Sequence, residues 1–173
     1  MPGPTWKTQA SQALSALANG GRPPRVALMG IGNDLRSDDG VGLALVRALG
    51  ERLSTDADDR LLVVEAGQAP ENFAGALRRF RPDLVVLLDA AQMGEEPGAV
   101  RWLAASAAAG MSGSTHTLPL HMLAAYLEAE LGCGVALLGI QPADISFGGP
   151  LSPPVRDAVE ALAGALPAIL GVV

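Results

Sequence analysis

"VALMGIGNDLRSDDGVGLALV", residues 26–46, holds an apolar run, a glycine turn and a second apolar pattern without interruption. The run over 25–30 has strand character, and beyond the turn Val41, Leu45, Leu49 and Leu53 recur at helical spacing. Strand, glycine turn and helix make the opening unit of an α/β fold. The turn places Gly30 and Gly32 as a dinucleotide-binding fingerprint would, but Leu35 stands where the third glycine belongs. Asp38 and Asp39 follow, where a pyrophosphate would rest against the helix amino terminus. Paired carboxylates repel a phosphate and attract a cation.

Outward from this stretch the alternation repeats. "LLVVEA" (61–66) reads as a buried strand, Phe73, Leu77 and Phe80 mark a helix opening near Pro70, and "DLVVLLDAA" (83–91) is a third strand. Near-continuous Val and Leu without alternation suits strands covered by helices on both faces, so the sheet is expected to be mostly parallel. "GAVRWL" (98–103) predicts a short edge strand of antiparallel sense, followed by the small-residue loop "AASAAAGMSGSTHTLP" (104–119). Leu120, Leu123, Leu127 and Leu131 give another helix, "GVALLGI" (134–140) another buried strand. Ser152 and Pro153 start a closing helix whose apolar face is Val155, Val159, Leu162 and Leu166. The fold class expected is α/β, a three-layer αβα sandwich around a twisted, doubly wound, mostly parallel sheet of about five strands. Its chemistry belongs at the carboxyl ends of the strands.

Before this pattern, Trp6, Ala10, Leu14 and Leu17 share a helical face behind Thr5, and "NGGRPP" (19–24) breaks the helix. Residues 1–24 therefore read as an extension with a short helix and a linker, and 25–173 as one domain. The 173 residues are 49% hydrophobic and 17% charged, which excludes a disordered chain. A formal charge of -6 removes the electrostatic footprint of a nucleic-acid binder. Cys133 alone gives neither a disulfide framework nor a thiolate cluster. With no signal-peptide core and no membrane-length apolar run, a cytoplasmic protein without membrane partners is expected.

Three residues gather at the predicted strand ends: Asp39 after the first strand, Asp89 closing the third, and His116 in a loop returning to the same edge. Each has a plain alternative. Asp38 or Asp39 could cap the helix, Asp89 could close a hydrogen-bonded turn, and His116 could be an ordinary loop histidine. His121 lies off the leucine stripe and reads as a solvated helix residue. Together, Asp39, Asp89 and His116 offer two oxygens and an imidazole, a donor set suited to a borderline divalent metal such as nickel or zinc with positions open for substrate. Glu65, ending the second strand, lies farther on than the ribose-binding acid of dinucleotide folds. No Gly-x-Ser-x-Gly elbow occurs, and Cys133, at the start of a buried strand, reads as a structural thiol.

"GIGNDLRSDDGVG" (30–42), with "GQAPEN" (67–72), "LDAAQMGEEPG" (88–98), "STHTLPL" (114–120) and "LLGIQP" (137–142), resembles the hydrogenase maturation proteases over about residues 25–166. These nickel-dependent endopeptidases trim the C-terminus of the large subunit of [NiFe] hydrogenases, and the sequence looks closest to the branch serving formate-hydrogenlyase-type hydrogenase. The resemblance implies metal ligands at Asp39, Asp89 and His116. It also implies a hydrogenase large-subunit precursor as partner, and nickel supplied by that precursor, with zinc or cadmium able to take the site in vitro. If a carboxylate activates water, Asp38 is the candidate general base beside the catalytic acid Asp39. Gly32, Asn33 and Gln141, near strand ends, are the candidate substrate contacts. The segment before Arg25 extends beyond the usual family start, and the end "LPAILGVV" (166–173) lacks the charged tail of many relatives. Two other readings stand beside this one: a non-catalytic nickel-sensing chaperone of the same precursor, and a nucleotide-binding α/β domain.

Overall fold

The computed structural model describes residues 3–53, 58–111 and 118–172. Helix α1 (Trp6–Leu17) starts at Thr5, whose hydroxyl accepts from Thr8 N at 3.3 Å, and buries Ala10 and Leu14. Five strands follow: β1 (Val26–Ile31), β2 (Leu61–Gly67), β3 (Leu84–Ala90), β4 (Val100–Ala104) and β5 (Gly134–Ile140). The other helices are α2 (Val41–Arg52), α3 (Ala74–Phe80), α4 (Leu120–Leu131) and α5 (Pro153–Leu170). The sheet runs β2-β1-β3-β5-β4, with every pair parallel except the edge pair β4–β5. The expected α/β sandwich with an antiparallel edge is what forms.

Every residue of β1 and β3 is buried, because helices cover both sides of the sheet centre. Val26 and Leu28 pack with Leu45 and Leu49 of α2 and with Val159 and Leu162 of α5. Ala27, Met29 and Ile31 face the other way, toward Leu77 of α3 and Leu123 and Leu127 of α4. Period-two alternation along one continuously apolar strand thus feeds two cores.

Two elements differ from expectation. The closing helix runs to Leu170 and carries Pro167 inside it, four residues beyond the last position of its predicted apolar stripe. Ser152 stands at its start, but makes no side-chain cap there because its hydroxyl is bonded elsewhere. Residues 105–108 form a 3-10 turn within the small-residue loop. Among the described residues, no helix is long and apolar enough to cross a membrane.

Chain order places β2 on one side of β1 and β3 on the other, so the crossovers part between β1 and β3. At such a switch point the strand ends leave a crevice at their carboxyl side. Helix α2 is pressed against this point through Gly42, where a Cβ would lie 2.1 Å from Leu88 O and 2.4 Å from Ile31 O. Gly42→Ala is therefore expected to lower stability by about 1–3 kcal/mol, since backbone on both sides must shift. Gly50, on the same helix, has nothing within 4 Å of its Cβ position, and Gly50→Ala should raise stability by about 0.5–1 kcal/mol through helix propensity. Denaturant titration of the two variants checks the opposite signs.

Candidate functional site

The residue after β1 is Gly32, at φ 136°, a conformation open to glycine and strained for other residues. A Cβ built there would lie 1.9 Å from Asp39 O and 3.8 Å from Asp89 Oδ1. The glycine is thus required by packing: the Asp39 backbone carbonyl fills the space a side chain would take, and the Asp89 carboxylate lies beside it. Asp39 sits in a 3-10 turn, Ser37–Gly40, that leads directly into α2, and Asp89 is the penultimate residue of β3. Their exposures are 1% and 0%. Asp39 O accepts from Asn33 N at 3.2 Å, and Asp89 Oδ1 accepts from Ala90 N at 2.8 Å. The N-cap of α2 is Gly40, which has no side chain to cap it, and the Asp38 carboxylate is engaged with another loop.

Asp38 has a different task from its neighbour. Its Oδ1 accepts from Ser152 N at 2.7 Å, and its Oδ2 accepts from Ala143 N at 2.8 Å, Asp144 N at 3.1 Å and Ser152 Oγ at 2.8 Å. The carboxylate is wholly buried and directed into the segment joining β5 to α5. Further bonds lace the same two loops: Asp38 N to Asp144 O at 2.9 Å, Arg36 Nε to Ile145 O at 3.0 Å, Ser37 Oγ to Ser146 O at 2.9 Å and Gly148 N to Leu35 O at 3.0 Å. Ser37 takes φ 47° to fit this lacing, a left-handed conformation costing a non-glycine residue about 1 kcal/mol or more. As a water-activating base Asp38 is poorly placed, because its acceptor sites face four protein donors; the geometry makes it a clamp. Asp144 is held below the usual carboxylate range, first by the backbone N–H of Ser146.

The candidate substrate contacts are also engaged within the protein. Asn33 Oδ1 accepts from Leu35 N at 3.0 Å, an Asx turn that shapes its own loop. Gln141 Oε1 accepts from Met93 N at 2.7 Å and Glu95 N at 3.3 Å, while its Nε2 donates to Gln92 Oε1 at 2.9 Å. Gln141 therefore pins the loop after β3 to the end of β5. At the outer rim Leu35 is 67% exposed and Phe147 71%, and the Arg36 guanidinium lies over the Phe147 ring, 4.9 Å from its centroid.

His116 lies outside the described residues. Among the described residues no group of three or more His, Cys, Asp and Glu side chains is arranged to hold a metal ion; of the expected trio, Asp39 through its backbone carbonyl and Asp89 through Oδ1 both lie beside Gly32. His121 is half-buried on α4, more enclosed than a solvated position. What the sequence reading missed is the 143–152 partner loop. Its signal was its length and its Gly-Gly-Pro turn at 148–150, since long connections in compact domains tend to carry function.

Neither alternative chemistry gains from this geometry. The acidic 3-10 turn occupies the approach to the amino end of α2, and Glu65 is paired with Arg47, whose Nε donates to it at 3.0 Å. These bonds to Glu65, and then to Asp34, raise the Arg47 pKa. Cys133 precedes β5 at the amino end of the sheet, away from the acids, and burial pushes its thiol up. Cys133 should consequently undergo thiol–disulfide exchange near neutral pH more slowly than a cysteine in an unstructured peptide, as timed by release of the coloured thiolate from a chromogenic disulfide reagent.

The hydrogenase maturation protease family profile matches residues 43–168. The hydrogenase 3 maturation protease of Escherichia coli is 36% identical over 134 residues, covering 77% of this chain and 83% of the relative. A putative hydrogenase maturation protease of Methanocaldococcus jannaschii is 34% identical over 127 residues, 71% of this chain and 75% of its own. The crystal structure of a [NiFe] hydrogenase maturation protease from Thermococcus kodakarensis superposes with a TM-score of 0.77 at 32% identity, covering 92% of this chain and 99% of that one. A matching profile over more than half the sequence, relatives above 30% identity and the shared αβα fold agree: this chain belongs to the hydrogenase maturation protease family.

Proposed function

We propose that the protein is an endopeptidase that removes a C-terminal peptide from the nickel-loaded large-subunit precursor of a [NiFe] hydrogenase. The observation that supports this reading is the burial of Asp39 and Asp89 in the two loops beside Gly32, where a Cβ would lie 1.9 Å from the Asp39 carbonyl oxygen and 3.8 Å from Asp89 Oδ1, in a chain of this family. Buried carboxylates at a strand-end rim are hard oxygen donors of the kind that hold a divalent cation. The donor set fits nickel: two carboxylate oxygens, with His116 as the proposed imidazole ligand. Nickel here is part of the substrate, arriving in the precursor, and zinc or cadmium would substitute for it in vitro.

A divalent cation held at this rim supplies Lewis-acid polarisation of the scissile carbonyl or of an attacking water. The chain's own residues provide placement. Asp39 and Asp89 fix where the precursor's metal must sit, and so which peptide bond is presented. Gly32 lets the Asp39 carbonyl and the Asp89 carboxylate lie beside it, and Asp38 holds the 141–152 loop against the metal loop. Asn33 and Gln141 support the loops flanking that position. Exposed Leu35 and Phe147 give the arriving precursor apolar contact beside it.

The testing experiment is intact mass of the large-subunit precursor after incubation with the protein, on nickel-loaded and nickel-free precursor in parallel. Loss of a C-terminal peptide from the loaded form alone is the expected result. A bound but intact precursor would overturn the endopeptidase reading in favour of a nickel-sensing chaperone.

A further inference from the structure

At the opposite end of the sheet from Asp39 and Asp89, roughly 20 Å away along a six-residue strand, lies a concave surface of about 840 Å³. Five arginines line it, from two segments: Arg22 and Arg25 before β1, and Arg78, Arg79 and Arg81 at the end of α3. Asp83 lines the bowl with them and Glu130 meets Arg78 from α4, so five cations stand against two carboxylates in a chain whose formal charge is -6. We infer that this arginine-lined bowl is a docking surface for an acidic peptide segment of a protein partner.

The plain explanation is that cations stabilise a helix carboxyl end, and it accounts for Arg78 and Arg79 in the last turn of α3. It does not account for the rest. Arg25 is braced over the Phe80 ring, 4.4 Å from its centroid, and donates to Phe80 O at 3.0 Å, so its guanidinium is fixed in place. Arg22 shares Asp83 at 3.3 Å, and Arg78 meets Glu130 at 3.2 Å. Arg79 and Arg81 make no ion pair among the described residues.

Arg81 adds an independent observation. It is the C-cap of α3 at φ 56° and ψ 64°, whereas α4 and α5 end in the same left-handed conformation with Gly132 and Gly171. Glycine is favoured at this position, and an arginine here holds a strained backbone for the sake of its side chain. That strain places a cation at the mouth of the bowl.

Charge complementarity selects an anion, and the layout selects carboxylates over a compact phosphate. A dense phosphate favours converging backbone N–H groups at a helix amino terminus. This bowl instead receives the carboxyl end of α3, so its attraction for an anion comes from the guanidinium groups alone. Spread guanidinium forks suit separate carboxylates on an extended chain, each bound in bidentate fashion. The proposal is independent of the proposed cleavage chemistry.

The test is fluorescence anisotropy of a fluorescein-labelled hexaglutamate peptide with the full chain, at low and physiological salt, with tripolyphosphate as competitor. Saturable binding that weakens with salt is expected, and Arg81→Glu should reduce affinity at least tenfold. Arg156→Glu, the same charge change on the exposed face of α5, should leave it within twofold. Arg81→Gly should weaken binding at least threefold without lowering the unfolding temperature, separating loss of the cation from damage to the fold. Absence of saturable binding, equal losses in the two Glu variants, or displacement of the peptide by tripolyphosphate at concentrations below those of unlabelled peptide would each overturn the inference.

Discussion

Asp39→Asn is expected to abolish release of the precursor's C-terminal peptide, a loss of about 10³-fold or more, equivalent to about 4 kcal/mol of barrier. The substitution keeps the shape of a buried side chain and removes one anionic oxygen donor, so the unfolding temperature should change little. Asp89→Asn should behave alike, because both acids bracket the same point at Gly32. A second readout separates metal binding from chemistry: nickel affinity of the isolated variant, measured by calorimetry, should fall at least tenfold. His116→Ala belongs in the same experiment as the proposed third ligand. Normal processing by purified, folded Asp39→Asn protein would sink the metal-site assignment while leaving the family membership untouched.

The elements were legible because their signals are local. Uninterrupted apolar runs predicted β1 and β3 as strands covered on both sides, and leucine spacing predicted α2 and α4 to within a residue or so. The placement of the Asp39 and Asp89 loops at one rim was legible too, since a doubly wound sheet sends both there. What could not be read was which loops bind each other. Asp38 and Ser152 are 114 residues apart, and no periodicity links them. Ser152 looked like a helix cap by residue type, yet its hydroxyl goes to Asp38, and Asn33 and Gln141 looked like substrate contacts from position alone. The sequence reading also set Asp38 beside Asp39 at the reacting centre, one as candidate general base and the other as metal ligand. The Asp38 carboxylate is directed to the 143–152 loop, while the Asp39 backbone carbonyl lies against Gly32 on the Asp89 side of the turn.

That division makes the second large effect one of stability. Asp38→Ala removes a buried carboxylate that accepts from three backbone N–H groups and one hydroxyl, leaving those donors inside the protein without their acceptor. Bonds to a charged group contribute about 1.5–3 kcal/mol each and are not additive, so a total loss of about 3–5 kcal/mol is expected. For a chain of this size that lowers the unfolding temperature by roughly 10 °C. Asp38→Asn keeps one acceptor oxygen but turns an NH₂ toward another donor, and should recover less than half of the loss. If Asp38 were the water-activating base, Asp38→Asn would stop cleavage without moving the unfolding temperature. As a clamp it does the reverse: stability falls first, and the activity that survives at low temperature keeps the wild-type dependence on pH. Calorimetric unfolding of Asp38→Ala, Asp38→Asn and Asp39→Asn, beside their cleavage rates well below the lowest unfolding temperature, distinguishes the two roles. A stable but inactive Asp38→Asn protein would return Asp38 to the chemistry and leave the 143–152 loop held by the Arg36 and Ser37 bonds and the two backbone bonds beside them.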